Sequence, residues 1–176
     1  VKNSWTQRSH DFGIVRKNEL ENEMGQRWLR EIQRFLPAGR KLDILDVGTG
    51  TGFFAVLLAQ LGHRVEAIDL TPAMLEEGRL LAAQRKLEIA FREMDAQALT
   101  YPDGTFDLVI SRNLTWTLPH PERAYGEWFR VLKPGGVLLN FDAEYAAHVR
   151  THSSQNRKLA PDSPYGHLGM TEALQQ

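Results

Sequence analysis

Asp46, Gly48, Thr49, Gly50 and Gly52, an acid followed by three alternate glycines, are the residues of this chain best spaced to do chemistry. The apolar run before them (Leu42, Ile44, Leu45, Val47) reads as a buried strand. The residues after them (Phe54, Leu57, Leu58, Leu61) recur at the spacing of one helix face. The glycines therefore fall on a strand-to-helix turn, where positive φ carries no steric cost and a ligand can lie on bare backbone with helical amides aimed at it. A dinucleotide fingerprint starting at Gly48 needs its third glycine where Phe53 stands. Asp46 would repel a pyrophosphate and accept from a cationic amine. The pattern points to a small-molecule pocket for a ligand carrying positive charge.

Two more acids are expected at the same edge. Asp69 closes a second strand, Val65 to Ile68, and its carboxylate can accept both hydroxyls of a ribose. Asp95 closes a third, about Ile89 to Met94, and can accept from an adenine amino group while the amide of the next residue, Ala96, donates to a ring nitrogen. A fourth strand, Phe106 to Ile110, delivers Ser111, Arg112, Asn113 and Trp116 to the place where a second reactant would meet the first.

The elements that must hold these residues are legible from periodicity. Leu20, Met24, Trp28, Ile32 and Phe35 form a stripe that predicts a first helix over 18–36, ended by Pro37 and Gly39. Thr71 and Pro72 are an N-cap and first helical position, and Met74, Leu75, Gly78, Leu81 and Ala82 continue that helix. Pro102-Asp103-Gly104 is a turn; Tyr125, Trp128, Phe129 and Leu132 mark another helix face. Lys133-Pro134-Gly135-Gly136 is a structural turn launching a fifth strand, Val137 to Phe141. Strands alternating with helices predict a doubly wound α/β fold with a mostly parallel sheet and ligands at the carboxyl ends of its strands.

Composition narrows the classes. The chain has 176 residues, enough for one domain with a substantial core. Its 21 basic and 22 acidic side chains leave a formal charge of −1, so no global field draws it to nucleic acid or anionic lipid. The chain has no cysteine, which excludes disulfides and thiolate metal sites and fits a cytoplasmic setting. No run approaches the roughly 20 apolar residues of a membrane span. The six histidines show no metal-ligand spacing, so no metal is expected.

The segment Leu45 to Gly52 closely resembles motif I of the class I S-adenosylmethionine-dependent methyltransferases. Asp69 with Leu70, and Asp95 with Ala96, match that family's second- and third-strand motifs position by position. Thr105 to Ser111 and Arg130 to Gly136 resemble its fourth-strand segment and the turn before its fifth strand. The resemblance covers about residues 40–142 and is nearest to small-molecule methyltransferases of the ubiquinone and menaquinone biosynthesis type. It implies S-adenosylmethionine as cofactor, ribose contact at Asp69, adenine packing on Leu70, and methyl transfer to a small-molecule acceptor. Asn113-Leu114-Thr115-Trp116 lacks the two prolines carried here by the family's adenine N6 methyltransferases, which argues against a DNA substrate.

A single domain is expected, with residues 1–39 as a helical cap, 40–143 as the cofactor core and 144–176 as a tail. Relatives close the sheet with two further strands, and none is evident after Phe141. Either the C-terminal strands are missing because the sequence is truncated, or that edge is covered by a helix near Met170 to Leu174 or by a second copy, as a homodimer. In relatives the segment holding Trp5, Arg8, Ser9, His10, Asp11 and Phe12 folds over the cofactor, with the aromatic at Phe12 as a cap. His10, His120 and Tyr145 are candidate bases for a hydroxyl or acidic-carbon acceptor; His120, between two prolines, reads foremost as an exposed turn residue. A cofactor-binding module without methyl transfer and an NAD-dependent oxidoreductase remain the alternatives.

Overall fold

Why the glycine turn lies at a sheet edge follows from the two strands that flank it. Our computed structural model describes residues 19–142. Strand β1 (Asp43–Val47) is buried along nearly its whole length, as is β4 (Phe106–Arg112). They pair in parallel, with Val47 opposite Ser111. Strand β2 (Arg64–Asp69) pairs in parallel with the other side of β1, and β3 (Ile89–Glu93) with β2. Strand β5 (Leu132–Phe141) pairs in parallel with β4. The order is therefore β3-β2-β1-β4-β5, and the chain reverses direction across the sheet between β1 and β4. Ligands of open α/β sheets bind in the crevice at that point.

Both faces are covered. Because strand side chains alternate, Ile44, Val65, Leu108 and Ile110 join one core with residues of helices α1 (Glu23–Gln33), α2 (Phe53–Gln60) and α3 (Pro72–Gln84). Leu45, Val47, Ile68 and Val109 join a second core with Ala124, Trp128 and Val131 of α4 (Pro121–Val131). This is the doubly wound arrangement expected.

Four local readings need correction. The first helix is interrupted at Asn22, whose extended backbone and side-chain bond to the Met24 amide start α1 afresh; residues 19–21 are helical before it. On the expected stripe, Leu20 and Ile32 are buried but Met24 and Phe35 are exposed. The buried face of α4 is Ala124, Trp128 and Val131, whereas Phe129 is exposed and Leu132 belongs to β5. Thr71 is the N-cap of α3 by position, yet its side chain makes no capping bond.

The 133–136 turn has a visible anchor. Register along β5 jumps from Leu132 opposite Phe106 to Val137 opposite Leu108, so these residues are extruded from the ladder. Lys133 reaches back to Asp43 on β1 (2.7 Å) and Asp107 on β4 (3.0 Å), and Asp107 also holds Arg40 and the Asp43 amide. Arg64 and Lys133 hold the Asp43 carboxyl down at about 2. This charged network lies at the sheet edge opposite the glycine turn.

Trp128 links core to site, being fully buried with its indole N–H donating to the Ala96 carbonyl (3.0 Å). Trp128→Ala should cost about 3–5 kcal/mol, from lost burial and a stranded carbonyl, as read by denaturant unfolding.

Candidate functional site

The glycine turn is held from beneath. Asp46 is only 2% exposed, and its Oδ2 accepts from the Thr49 hydroxyl (2.6 Å) and the Ala55 amide (3.0 Å). The Thr49 amide donates to the Ile68 carbonyl (2.9 Å), which ties the loop to the end of β2. Asp46 is thus committed to the loop through Oδ2. It is enclosed, organises the loop, and would act on a ligand cation through its field. Burial raises its carboxyl to about 7, against the opposing pull of the Thr49 and Ala55 bonds; the Asp69 charge adds to the rise.

Three glycines serve three ends, each at positive φ. A side chain at Gly48 would strike the Leu114 side chain (2.7 Å), and one at Gly52 would press on the Phe91 ring (3.2 Å) near the Gly78 backbone of α3. Around Gly50 nothing lies within 4 Å of such a position. The open backbone face is thus at Gly50, whose amide donates to Asp69 Oδ2 (2.9 Å). Thr51 carries a buried hydroxyl with no hydrogen-bond partner among the described residues.

Asp69 stands beside this open face, at the end of β2 as expected. Its Oδ1 accepts from the Thr71 amide (2.8 Å). A carboxylate offers about four lone-pair sites, so two backbone bonds orient Asp69 and leave capacity for further donors. Burial raises its pKa, and the Thr71 and Gly50 amides oppose the rise. Leu70 follows with its side chain 49% exposed, an apolar surface at the ligand edge. Asp95 uses Oδ1 to hold the Gln97 amide (2.9 Å) and side chain, and Ala96 is buried with its carbonyl on Trp128. Both lie past the end of β3, at the same edge.

The residues after β4 divide. Ser111 is fully buried and donates its hydroxyl to the Val47 carbonyl (2.9 Å), joining β4 to β1 beneath the loop instead of facing a ligand. Arg112 is also corrected. Its guanidinium lies over the rings of Trp28 (4.8 Å) and Phe53 (5.0 Å) and bonds Glu19 (3.3 Å), so it docks the α1 region onto the first residue of α2. Asn113 adopts φ of 56°, a left-handed conformation that Asn tolerates better than most residues. Trp116, in a 3₁₀ turn (Thr115–Thr117), is 46% exposed and donates to the Asn113 carbonyl (3.1 Å).

Sequence reasoning missed two residues here, Leu114 against Gly48 and Asp142 beneath the turn. Asp142 accepts from the Leu114 amide (2.9 Å), the Thr115 amide (3.2 Å) and the Thr115 hydroxyl. An exposed acid right after an apolar strand was the available signal. His120 is the exposed N-cap of α4, beside Glu122. Phe12, His10, Tyr145 and the helix near Met170 to Leu174 lie outside the described residues. Among the described residues there is no His/Cys/Asp/Glu group arranged to hold a metal, and no helix long and apolar enough to cross a membrane.

The raised Asp46 carboxyl makes a pH prediction. A folded pKa above the unfolded value means that the native state binds more protons between them, so this group's contribution is most favourable below about pH 4 and is lost as pH rises towards about 7. The loss is of order 4 kcal/mol across that window. Asp46→Asn should flatten the corresponding slope in denaturant melts between pH 4 and 7; an unchanged slope would assign it to another group.

Comparison with known proteins places this geometry. The model of a family described as a methyltransferase domain matches residues 45–140. The demethylmenaquinone methyltransferase of Thermus thermophilus is 44% identical over 98 residues, covering 54% of this chain and 44% of that enzyme. Among solved structures, an S-adenosylmethionine-dependent methyltransferase from Methanosarcina mazei superposes with a TM-score of 0.56 at 29% identity, over 61% of this chain and 55% of that one. The [4+2]-cyclase SpnF superposes with a TM-score of 0.62, also at 29% identity, over 66% and 45%. The chain spans less than half the length of the curated relatives it matches. With a family match over more than half its residues, centred on the loop and strands that form the open edge, the chain belongs to the methyltransferase domain family.

Proposed function

We propose that this protein binds S-adenosylmethionine at the glycine loop and transfers its methyl group in line to a small-molecule acceptor. The observation that carries the reading is the open backbone at Gly50 set against a fixed carboxylate, Asp69. The residues fit the cofactor. Gly50 leaves the space a ligand needs; Asp69 has spare acceptor capacity for ribose hydroxyls; exposed Leu70 offers an apolar face to adenine; and Asp95 and Ala96 lie at the same edge to read it. Gly48, Thr49 and Gly52 shape the loop, and buried Asp46 supplies a negative field suited to an ammonium and a sulfonium. Asp46 beneath the loop opposes a pyrophosphate, which disfavours NAD; Asp69 does not discriminate, since a dinucleotide-binding sheet also sets an acid there for a ribose.

Bound S-adenosylmethionine supplies a methyl group that is already electrophilic, so the chain's own task is alignment and exclusion of water. Asn113 and Trp116, past the end of β4, would orient the acceptor. The Thermus relative is named for demethylmenaquinone, which makes quinols the first acceptors to screen, ahead of phenols, amines and carboxylates. The cyclase of the same fold favours a second reading, binding without methyl transfer. We place the protein in the cytoplasm and expect no nucleic-acid partner, given a net charge of −1. Among the described residues β5 has no neighbour on its outer side, which supports a homodimer through that edge.

Calorimetric titration separates these readings. The methyltransferase reading expects binding of S-adenosylmethionine and S-adenosylhomocysteine but not NAD, with methylated product from one acceptor class; tight binding without product would favour the second reading. Asp69→Ala should weaken binding by about 1.5–3 kcal/mol, roughly 10- to 150-fold, with the fold retained. An unchanged dissociation constant would remove Asp69 from the site. Gly50→Val should fold, since its side chain meets open space, at a cost of about 1–2 kcal/mol for the left-handed backbone, and should abolish binding. Sedimentation of the 176-residue chain tests the dimer, and a stable monomer at high concentration would sink it.

A further inference from the structure

We propose that Leu114 is the wall against which the transferable methyl group packs, and that Asp142 is the positioning residue that holds it there; the proposal rests on the cofactor reading above. The sheet order sets the geometry. Along the ligand edge the strand ends run from β2 with Asp69, to β1 with the glycine loop, to β4 with the 113–117 turn, to β5 with Asp142. The cradle at Gly50 is open, whereas the side chain of Leu114 already covers Gly48, with its Cδ atoms within 2.8 Å of where a Cβ would stand. A ligand whose ribose is held at Asp69 and whose other end runs from Gly50 towards β4 meets Leu114 next. In the same turn stand Asn113 and Trp116, and Asp142 at the end of β5 bonds its backbone.

That wall is fixed with unusual thoroughness. The Asn113 amide donates to the Phe141 carbonyl (2.8 Å), and the Asn113 carbonyl accepts from the Trp116 indole (3.1 Å). Asp142 takes the amides of Leu114 and Thr115 together with the Thr115 hydroxyl. The Thr117 hydroxyl and amide both return to the Leu114 carbonyl (2.7 and 2.9 Å). A left-handed Asn113 persists because these bonds over-determine it, and such strain collects where backbone placement matters to function. Asp142 touches no part of the glycine loop in this network. Its effect passes through Leu114.

S-adenosylmethionine and S-adenosylhomocysteine differ in the sulfonium methyl and its charge, so the ratio of their dissociation constants isolates contacts to that group. Leu114→Ala should shift the ratio against S-adenosylmethionine by about fourfold, the worth of one buried methyl contact, with the homocysteine product bound within about twofold of wild type. Leu114→Val should shift it less, in the same direction, and serves if the alanine variant does not fold. Asp142→Ala should reproduce the Leu114→Ala shift, and Asp142→Asn, which keeps one carbonyl acceptor, should restore part of it. Equal losses for both ligands, or none, in variants with wild-type circular dichroism would assign Leu114 and Asp142 to packing and overturn the proposal. A wild-type protein that binds neither ligand would overturn the cofactor reading, and this inference with it; one that binds both with a ratio insensitive to all four variants would overturn only the inference.

Discussion

A buried carboxylate holds the glycine loop from below, and the open edge of the sheet depends on it. A loop that offers bare backbone to a ligand cannot also satisfy itself by folding inward. Asp46 resolves this by bonding the Thr49 hydroxyl and the first-turn amide of Ala55 from within the core, while the Thr49 amide ties the loop to β2. The arrangement has a thermodynamic consequence. Desolvation holds the Asp46 carboxyl near neutrality, so the unliganded fold carries a poorly solvated acid at the place where a cation would relieve it.

The two ends of the strands divide the work. At one edge Lys133, Arg40 and Arg64 converge on Asp43 and Asp107, closing the carboxylates into ion pairs that pin the extruded 133–136 turn to β1 and β4. At the other edge the carboxylates of Asp46, Asp69 and Asp95 have backbone amides and neutral side chains as partners, with no cation among those bonds. Paired charge fixes register there; amide-held acids present negative field here. The same residue type is thus closed into ion pairs at one end and held by amides and neutral side chains at the other, and the difference lies in whether a cation is already bonded to it.

Much of the frame was legible because it is written in short-range periodicity. Short apolar runs for strands, a period near 3.6 for helices, and glycine or proline at their ends locate all five strands and the loop, and put Asp69 and Asp95 at strand ends. What escaped depends on partners far along the chain. Arg112 at a strand end reads as a ligand group, yet its flat guanidinium finds the faces of Trp28 and Phe53, which no local pattern announces. Ser111 at a strand end reads as a cofactor-site residue and instead bonds Val47, 64 residues away. The face of α4 was mis-phased because Phe129 is apolar and exposed, and burial, not residue type alone, decides a face. Leu114 and Asp142 carry no motif, and their significance exists only once β4 and β5 lie side by side.

The likeness to a methyltransferase and to a [4+2]-cyclase, at comparable identity and superposition, bears on where chemistry is chosen. A shared sheet and loop fix where a ligand lies; they do not fix what happens to it. In this chain the loop geometry is settled by contacts inside the core, among Asp46, Thr49, Ile68 and Ala55, so it has little freedom to vary with the reaction. The turn after β4 is different. It is bonded through its own backbone and through Asp142, and while Leu114 packs on Gly48, the side chains at Asn113 and Trp116 are not part of either core, so substitutions at those two positions leave the loop's anchors untouched. On the proposed function, acceptor specificity could therefore change at the β4 and β5 ends while the anchors of the glycine loop stay in place, and its determinants are to be sought in that segment before the loop.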